Sequence, residues 1–406
     1  MQCGLLGRKL GHSYSPQIHA MLGSYGYALF EKEPEALEDF LKNGDFTGLN
    51  VTIPYKKDVI PFLDELSDRA KRLGAVNTIV RKPDGRLIGH NTDYFGFETM
   101  LEDSGIDVQG KKALVCGSGG ASNTAVAVLR EHGAHVVILS RSGPDNYQNL
   151  ERHADAALIV NATPVGMYPN VDGAAIEDLS RFPKLEGVLD LIYNPARTKI
   201  LLAAEERGLK TENGLKMLVA QAKESAEWFT GKAIPDERIG EIYARLRRET
   251  ENLIIIGMPG SGKTTVGRLL AQATGKNFVD VDEEIIRTAG MSIPEIFAAS
   301  GENGFREIET AVLSRLGKGS GQVIATGGGC VTRPENYPLL HQNGTIFRLT
   351  RDLAKLPTEG RPISQTTDLA QLCARREPLY RRFADVTVSN DGALEVTVQT
   401  IKEALL

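Results

Sequence analysis

Leu253-Ile254-Ile255-Ile256 runs directly into Gly257-Met258-Pro259-Gly260-Ser261-Gly262-Lys263-Thr264, which is followed by Val266-Gly267-Arg268-Leu269-Leu270-Ala271. A β-branched run, a G-x-x-x-x-G-K-T loop and a helix-like stretch in that order read as strand, phosphate-binding loop and helix. Glycines let the backbone N–H groups of such a loop close around phosphates. Its lysine meets the β- and γ-phosphates, and its threonine hydroxyl holds Mg²⁺. The loop predicts an α/β nucleotide-binding domain with a parallel sheet. It leaves open what receives the phosphate and what the residues before it do.

A chain of 406 residues exceeds one ordinary core, so two or three domains are expected. Hydrophobic content of 41 % and charged content of 24 % are those of a soluble globular protein, and no apolar run approaches the roughly 18 residues of a membrane span. The net charge of −5, with basic residues scattered along the chain, argues against nucleic acid or an anionic membrane as partner. Met1–Gly7 carries no signal-peptide pattern. The four cysteines, Cys3, Cys116, Cys330 and Cys373, are far apart and the seven histidines lack metal-ligand spacing, so reduced thiols in a cytoplasmic protein are expected. Monomer and homodimer are equally open.

Short β-like runs alternate with helical stretches throughout. A second nucleotide signal lies at Lys112-Ala113-Leu114-Val115-Cys116-Gly117-Ser118-Gly119-Gly120-Ala121-Ser122. There a strand meets a glycine turn, then a helix expected from about Asn123 to His132, then the strand His135–Leu139. This is the β-α-β unit that seats a pyrophosphate on a helix N-terminus. Arg141 after the second strand suits the extra phosphate of NADP, where an acid would suit NAD. Upstream, a helix is expected to begin near Pro16 with Ser15 as its cap. Gly48–Lys56 reads as a short alternating strand ending in proline and lysine, and two Asn-Thr pairs, Asn77-Thr78 and Asn91-Thr92, stand at strand ends. Capping, turn formation and solvated charge explain these residues as well as ligand binding does.

The order of the motifs separates the two. H-S-x-S-P at His12–Pro16, N-V-T-I-P-x-K at Asn50–Lys56, A-V-N-T at Ala75–Thr78, N-T-D-x-x-G at Asn91–Gly96, N-A-T-P-x-G-M at Asn161–Met167, D-x-x-Y-x-P at Asp190–Pro195 and G-x-x-M-L-x-x-Q-A at Gly214–Ala222 resemble shikimate dehydrogenase over about residues 1–246. The resemblance implies a substrate-binding α/β domain at 1–96 plus 215–246 and a Rossmann-like NADP-binding domain at 97–214. It implies Lys56 and Asp93 as the catalytic pair. Ser13, Ser15, Thr52, Asn77, Tyr193 and Gln221 would hold the substrate, and Gly117, Gly119, Gly120, Ala121, Arg141 and Gly214 the cofactor. Where the family usually has a second basic residue after that strand, this chain has Asp145, so NAD stays possible.

Beyond the phosphate loop come F-x-D-x-D at Phe278–Asp282, I-x-x-I-F at Ile293–Phe297, G-E-x-x-F-R-x-x-E at Gly301–Glu309, Gly327-Gly328-Gly329, Arg361-Pro362 and P-L-Y-R at Pro378–Arg381. Alternation along a strand is expected to put Asp280 and Asp282 on one face. The set resembles shikimate kinase over about residues 252–406. It implies nucleotide binding by Gly257, Gly260, Ser261, Gly262, Lys263, Thr264 and Thr265, Mg²⁺ on Thr264 and Asp280, and Asp282, Lys263 and Arg361 as catalytic residues. Arg306 and Arg381 would grip the ring carboxylate bidentately, with Gly327, Gly328 and Gly329 admitting the ring and Asp282 holding its hydroxyls.

The two resemblances converge on one compound. The first implies reduction of 3-dehydroshikimate to shikimate with NADPH, and the second implies phosphorylation of shikimate by ATP and Mg²⁺, with residues 247–252 as linker and 253–406 as the kinase. Two other readings fit parts of the pattern. One is an NAD-dependent quinate/shikimate dehydrogenase joined to another small-polyol kinase. The other makes one half a ligand-sensing module that does no chemistry.

Overall fold

The computed structural model describes residues 1–11, 13–355 and 369–405. They form two compact units, Met1–Ala244 and Arg245–Leu406.

The first unit holds two sheets. One is mixed and six-stranded, built from β1 (Gln2–Gly7), β2 (Gly26–Glu31), β3 (Gly48–Val51), β4 (Glu65–Leu66), β5 (Thr78–Arg81) and β6 (Leu87–His90) in the order β2-β1-β3-β5-β6-β4. β1 pairs parallel with β2 and β3, whereas β5 runs antiparallel to β3 and β6. The other sheet is parallel and five-stranded: β7 (Lys112–Cys116), β8 (His135–Leu139), β9 (Leu158–Asn161), β10 (Gly187–Asp190) and β11 (Lys210–Asn213) in the order β11-β10-β9-β7-β8. β7 shows how the sequence makes this sheet. Ala113 and Val115 pack on one face with Leu129 and Phe97, while Leu114 and Cys116 pack on the other with Ile200 and Leu201. A parallel strand covered by helices on both sides is apolar along its covered stretch, here Ala113–Cys116, with Lys112 at its less buried start.

The second unit is one parallel sheet, β12 (Asn252–Gly257), β13 (Asn277–Asp280), β14 (Gln322–Ala325), β15 (Gly344–Thr350) and β16 (Val386–Ser389), in the order β13-β14-β12-β15-β16. All six residues of β12 are buried. Ile254 and Ile256 join Val281, Ile285 and Leu313 on one side, and Leu253 and Ile255 join Val266, Leu270 and Phe347 on the other. The α/β class with parallel sheets is as expected.

Several local expectations need correction. Tyr14, not Ser15, caps the helix Ser15–Leu22, and no side chain makes a cap hydrogen bond there. β3 stops at Val51 and is buried throughout, because it lies between β1 and β5 with no solvent face. The helix after the glycine turn begins at Gly120, three residues early. The expected boundary at residues 96 and 97 falls inside the helix Asp93–Ser104. The expected linker 247–252 is the last turn of the helix Glu237–Thr250, Glu251, and the first residue of β12. The charged run Arg247-Arg248-Glu249 reads as linker by composition, yet the apolar stripe Ile239, Ile242 and Leu246 carries the helix through it, and all three are buried.

Gly214 precedes the helix Leu215–Thr230, and a Cβ there would stand 2.0 Å from the Leu191 carbonyl oxygen. Close backbone packing accounts for this glycine without any cofactor. Gly214→Ala is expected to destabilise the first unit by about 1–3 kcal/mol, the usual range for overpacking. The check is the urea midpoint for loss of the first unit's activity, which should fall, while that for the second unit's activity stays.

Candidate active sites

In the first unit the polar residues collect beyond the C-terminal ends of β1 and β3. Thr52 follows β3 and donates its N–H to the Leu6 carbonyl on β1 (2.9 Å), so it sits beside the turn that follows β1. On that turn the Ser15 N–H donates to the Ser13 hydroxyl at 3.2 Å, and Ser15 is buried. Tyr193, past the end of β10, meets the same turn through Tyr14, with ring centroids 5.6 Å apart, and burial pushes its phenol above the usual range. Asp190, three residues earlier, is pushed up to about 6 by burial, against hydrogen bonds from Thr198, the Ile192 N–H and Asn161.

Lys56 and Asp93 come together from distant parts of the chain. Lys56 Nζ lies 2.6 Å from Asp93 Oδ2, with the lysine side chain 21 % and the aspartate side chain 9 % exposed. Asp93 opens the helix Asp93–Ser104, whose N-terminal field favours the ionised carboxylate. Asn77 Nδ2 donates to Asp93 Oδ1 (2.9 Å) and to Thr92 Oγ1 (3.0 Å). Both amide hydrogens of Asn77 are therefore used inside the protein, so in this arrangement Asn77 orients Asp93. Gln221, on the helix Leu215–Thr230, packs at Gly96, where a Cβ would stand 3.1 Å from the Gln221 Cβ, and donates Nε2 to the Leu218 carbonyl.

The dinucleotide turn follows β7. Gly117 has φ +105°, and a Cβ on it would stand 3.1 Å from the Ala162 carbonyl. A Cβ at Gly119 or Gly120 would meet nothing within 4 Å, which leaves open space at the helix N-terminus where a pyrophosphate could rest. Ala121 lies in the first turn of that helix, and Ser122, in the third glycine position, donates to the Gly117 carbonyl (2.7 Å) and ties the turn to it. Arg141 is exposed after β8. Asp145 is turned toward His153, with Oδ1 3.0 Å from Nε2.

In the second unit a cavity of about 890 Å³ opens over the phosphate loop. Gly257, Gly260 and Gly262 all have positive φ, and Gly262 caps the helix Lys263–Thr274. Lys263 Nζ donates to the carbonyls of Gly257 and Met258 (3.0 and 3.1 Å), and Thr265 joins it on the cavity wall. Ser261 is fully buried. The Thr264 hydroxyl donates to Asp280 Oδ2 (2.8 Å), a pair of hard oxygens suited to Mg²⁺. Asp280 and Asp282 both line the cavity, though not through strand alternation. β13 ends at Asp280, which caps the helix Val281–Ala289 by accepting from the Asp282 N–H (3.0 Å).

Arg306, only 5 % exposed, lines the same cavity and holds Glu309 through Nη1 (2.6 Å). Burial pushes the Glu309 carboxyl up, opposed by Arg306. The glycine turn is needed by the protein itself. A Cβ at Gly329 would stand 1.9 Å from Arg306 Nη2, one at Gly328 2.8 Å from the Pro259 ring, and one at Gly327 2.7 Å from Glu309 Oε1.

The expected Arg381 is misplaced. Its side chain is 75 % exposed and paired with Glu377 one helical turn away. Arg376 lies inside instead, 2 % exposed, on the cavity wall, with Nη1 donating to the Gly328 carbonyl (3.0 Å). The spacing Leu372, Arg376, Tyr380, Phe383 marks the buried stripe of the helix Leu369–Phe383, and Arg381 falls off it. That stripe was the available signal for Arg376. Ser225 leaves no signal in the sequence, because its side-chain partners Asn50, Thr78 and Thr92 lie more than 100 residues away, whereas Glu309, Thr78 and Thr92 stand inside motifs that assign them no role. Arg361 lies outside the described residues.

Comparison with known proteins agrees with both halves. The model of the shikimate dehydrogenase substrate-binding domain matches residues 5–79, and that of shikimate kinase matches residues 259–406. The shikimate dehydrogenase (NADP(+)) of Clostridium perfringens strain SM101 is 38 % identical over 266 residues, covering 60 % of this chain and 97 % of that protein. Shikimate dehydrogenase 1 of Peptoclostridium difficile has a solved structure with a TM-score of 0.56 and 39 % identity, covering 61 % of this chain and 98 % of its own. A chorismate mutase/shikimate 5-dehydrogenase fusion protein from Clostridium acetobutylicum gives 0.56 and 36 %, covering 60 % and 96 %. The chain belongs to the shikimate dehydrogenase family over its first unit and carries a shikimate kinase domain in its second, so it is a bifunctional shikimate-pathway enzyme, an oxidoreductase joined to a kinase.

Proposed function

We propose that the first unit reduces 3-dehydroshikimate to shikimate with NADPH and that the second transfers the γ-phosphoryl group of ATP to the 3-hydroxyl so formed. The observation that carries the first step is the Lys56–Asp93 contact at 2.6 Å. The Gly117–Ala121 turn would hold NADPH, which would supply the hydride. Lys56 gives its proton to the carbonyl oxygen, and Asp93 holds the ammonium in line and accepts from a neighbouring ring hydroxyl. Ser13, Ser15, Thr52, Tyr193 and Gln221 are the groups available to the rest of the ring.

For the second step, Asp282 accepts from the attacking hydroxyl and helps remove its proton. Lys263 and Arg361 stabilise the charge moving off the phosphoryl group, and Thr264 with Asp280 would hold Mg²⁺, which would screen the phosphates. Arg306 and Arg376 hold the ring carboxylate, with Arg376 in the role first expected of Arg381. The free thiols on Cys3, Cys116, Cys330 and Cys373 suit a reducing cytoplasm.

Three assays test this. Lys56→Ala should abolish NADPH-dependent turnover of 3-dehydroshikimate and leave phosphorylation of added shikimate intact, while Lys263→Ala does the reverse. Loss of both activities in either folded variant would refute separate sites. Arg376→Ala should lower kcat/KM for shikimate phosphorylation at least 100-fold, and Arg381→Ala less than threefold, since an exposed ion pair contributes about 0–1 kcal/mol. Arg141→Ala should raise KM for NADPH about tenfold and leave KM for NADH unchanged. An equal rise for both would remove Arg141 from the 2′-phosphate.

A further inference from the structure

Behind the Lys56–Asp93 pair lies a buried polar cluster whose members come from four parts of the chain: Asn50 on β3, Asn77 and Thr78 at the start of β5, Thr92 before the helix Asp93–Ser104, and Ser225 on the helix Leu215–Thr230. Exposures run from 0 % for Thr78, Thr92 and Ser225 to 5 % for Asn50. Ser225 stands where these segments meet. Its Oγ lies 2.8 Å from Asn50 Nδ2, 2.8 Å from Thr78 Oγ1, 2.9 Å from Thr92 Oγ1 and 2.9 Å from the Gln221 carbonyl.

A serine hydroxyl has one hydrogen to give and two lone pairs, so at most three of these four contacts are hydrogen bonds to it. The carbonyl of Gln221 can only accept, so Ser225 donates there. Asn50 Nδ2 can only donate, which takes one lone pair. Thr92 can donate to the second, because its own oxygen already receives Asn77 Nδ2. Thr78 then donates to Asn77 Oδ1 (3.2 Å), which also accepts the Thr92 N–H (2.7 Å). Tyr27 donates to Asn50 Oδ1 (2.8 Å), and the second hydrogen of Asn50 reaches Thr78 (3.3 Å). In this assignment every group in the cluster has a partner, the Thr78–Ser225 oxygens touch at 2.8 Å with no hydrogen between them, and the amide face of Asn77 is held toward Asp93 Oδ1.

We propose that Ser225 is a positioning residue for the dehydrogenase: its hydroxyl fixes Thr92, and through Thr92 the Asn77–Asp93 pair that aims Lys56. This rests on the proposed roles of Lys56 and Asp93. Ser225 lies one turn beyond Gln221 and takes the Gln221 carbonyl, so the hydroxyl also ties the catalytic pair to the helix that presents a substrate ligand. The cluster is too buried for water to replace a lost hydroxyl at low cost, and removing one member leaves a neighbour unpaired.

The test uses the full chain with Ser225→Ala, Thr92→Val, the double variant and Lys56→Ala as reference. The thermal midpoint for loss of the first unit's activity is the control for folding, and shikimate phosphorylation checks that the second unit is untouched. Each single variant should lower kcat for 3-dehydroshikimate reduction about tenfold with KM changed less than threefold. The double variant should lose no more than either single, because both cut the same chain of bonds. Should Ser225→Ala not fold, Ser225→Cys, of nearly the same shape and a weak donor, should show the same kcat loss. Unchanged kcat, a KM that rises in step with the kcat loss, or multiplying losses in the double variant would overturn the proposal. Activity retained in Lys56→Ala would overturn the reading beneath it as well. Lys56 dependence with an indifferent Ser225 would remove only the positioning role.

Discussion

A strand buried on both faces has no room for a substrate along its length, so the reacting groups have to gather past its end. β12 is apolar from Leu253 to Ile256, and its first functional group is the backbone of Gly257. β7 likewise ends at Cys116 before the turn at Gly117, and β14 at Ala325 before Thr326–Gly329. β13 ends at Asp280 itself, and Ser13 and Thr52 follow β1 and β3. In a parallel sheet the strand ends share one edge, so residues remote in sequence arrive at one cleft. Each unit obeys this constraint separately.

Buried charge is the second constraint, because a charge taken out of water has to be paired or it neutralises. The two units meet it differently. In the first, Lys56 is partly exposed, and the buried Asp93 is steadied by Asn77 and a helix N-terminus. In the second, Arg306 and Glu309 are almost wholly enclosed, and the glycine turn leaves room for the guanidinium. Substituting Gly329 would displace Arg306 before it met any substrate. Part of the Gly-Gly-Gly signature is thus a packing requirement of the site's own walls.

This division explains what was legible in the sequence. Groups held by local geometry could be read directly: the phosphate loop, the glycine turn after β7, and Asp280 with Asp282, although the latter pair reaches the cavity through a helix cap. Lys56 with Asp93 is invisible as spacing and came from the order of motifs. Arg381 and Arg376 differ by helical phase: the motif names the neighbourhood, and only the buried stripe shows that Arg376 is the inward residue. The expected edges at 96 and 247 fall inside helices, because a charged or motif-ending stretch can continue a helix when its apolar face is still covered. Ser225 could not be found at all. Its partners, Asn50, Thr78 and Thr92, are more than 100 residues away, and a lone serine in a helix says nothing of where its hydroxyl goes.

On the proposed reading, the two units hold the same molecule by opposite means, and the charge flow of each step accounts for it. Carbonyl reduction places negative charge on one oxygen and needs one cation there. Each oxygen of Asp93 already accepts one bond, from Lys56 and from Asn77, and an arginine nearby would compete with Lys56 and with the ring hydroxyl for the carboxylate. Hydroxyls and amides can hold the ring without that competition. Phosphoryl transfer brings a carboxylated ring against a polyphosphate, and their repulsion has to be offset on both sides. Lys263 with the loop backbone answers the phosphates, and the buried pair Arg306 and Arg376 answers the carboxylate. A site good for one step is therefore poor for the other, and a chain performing both has to keep two complete sites.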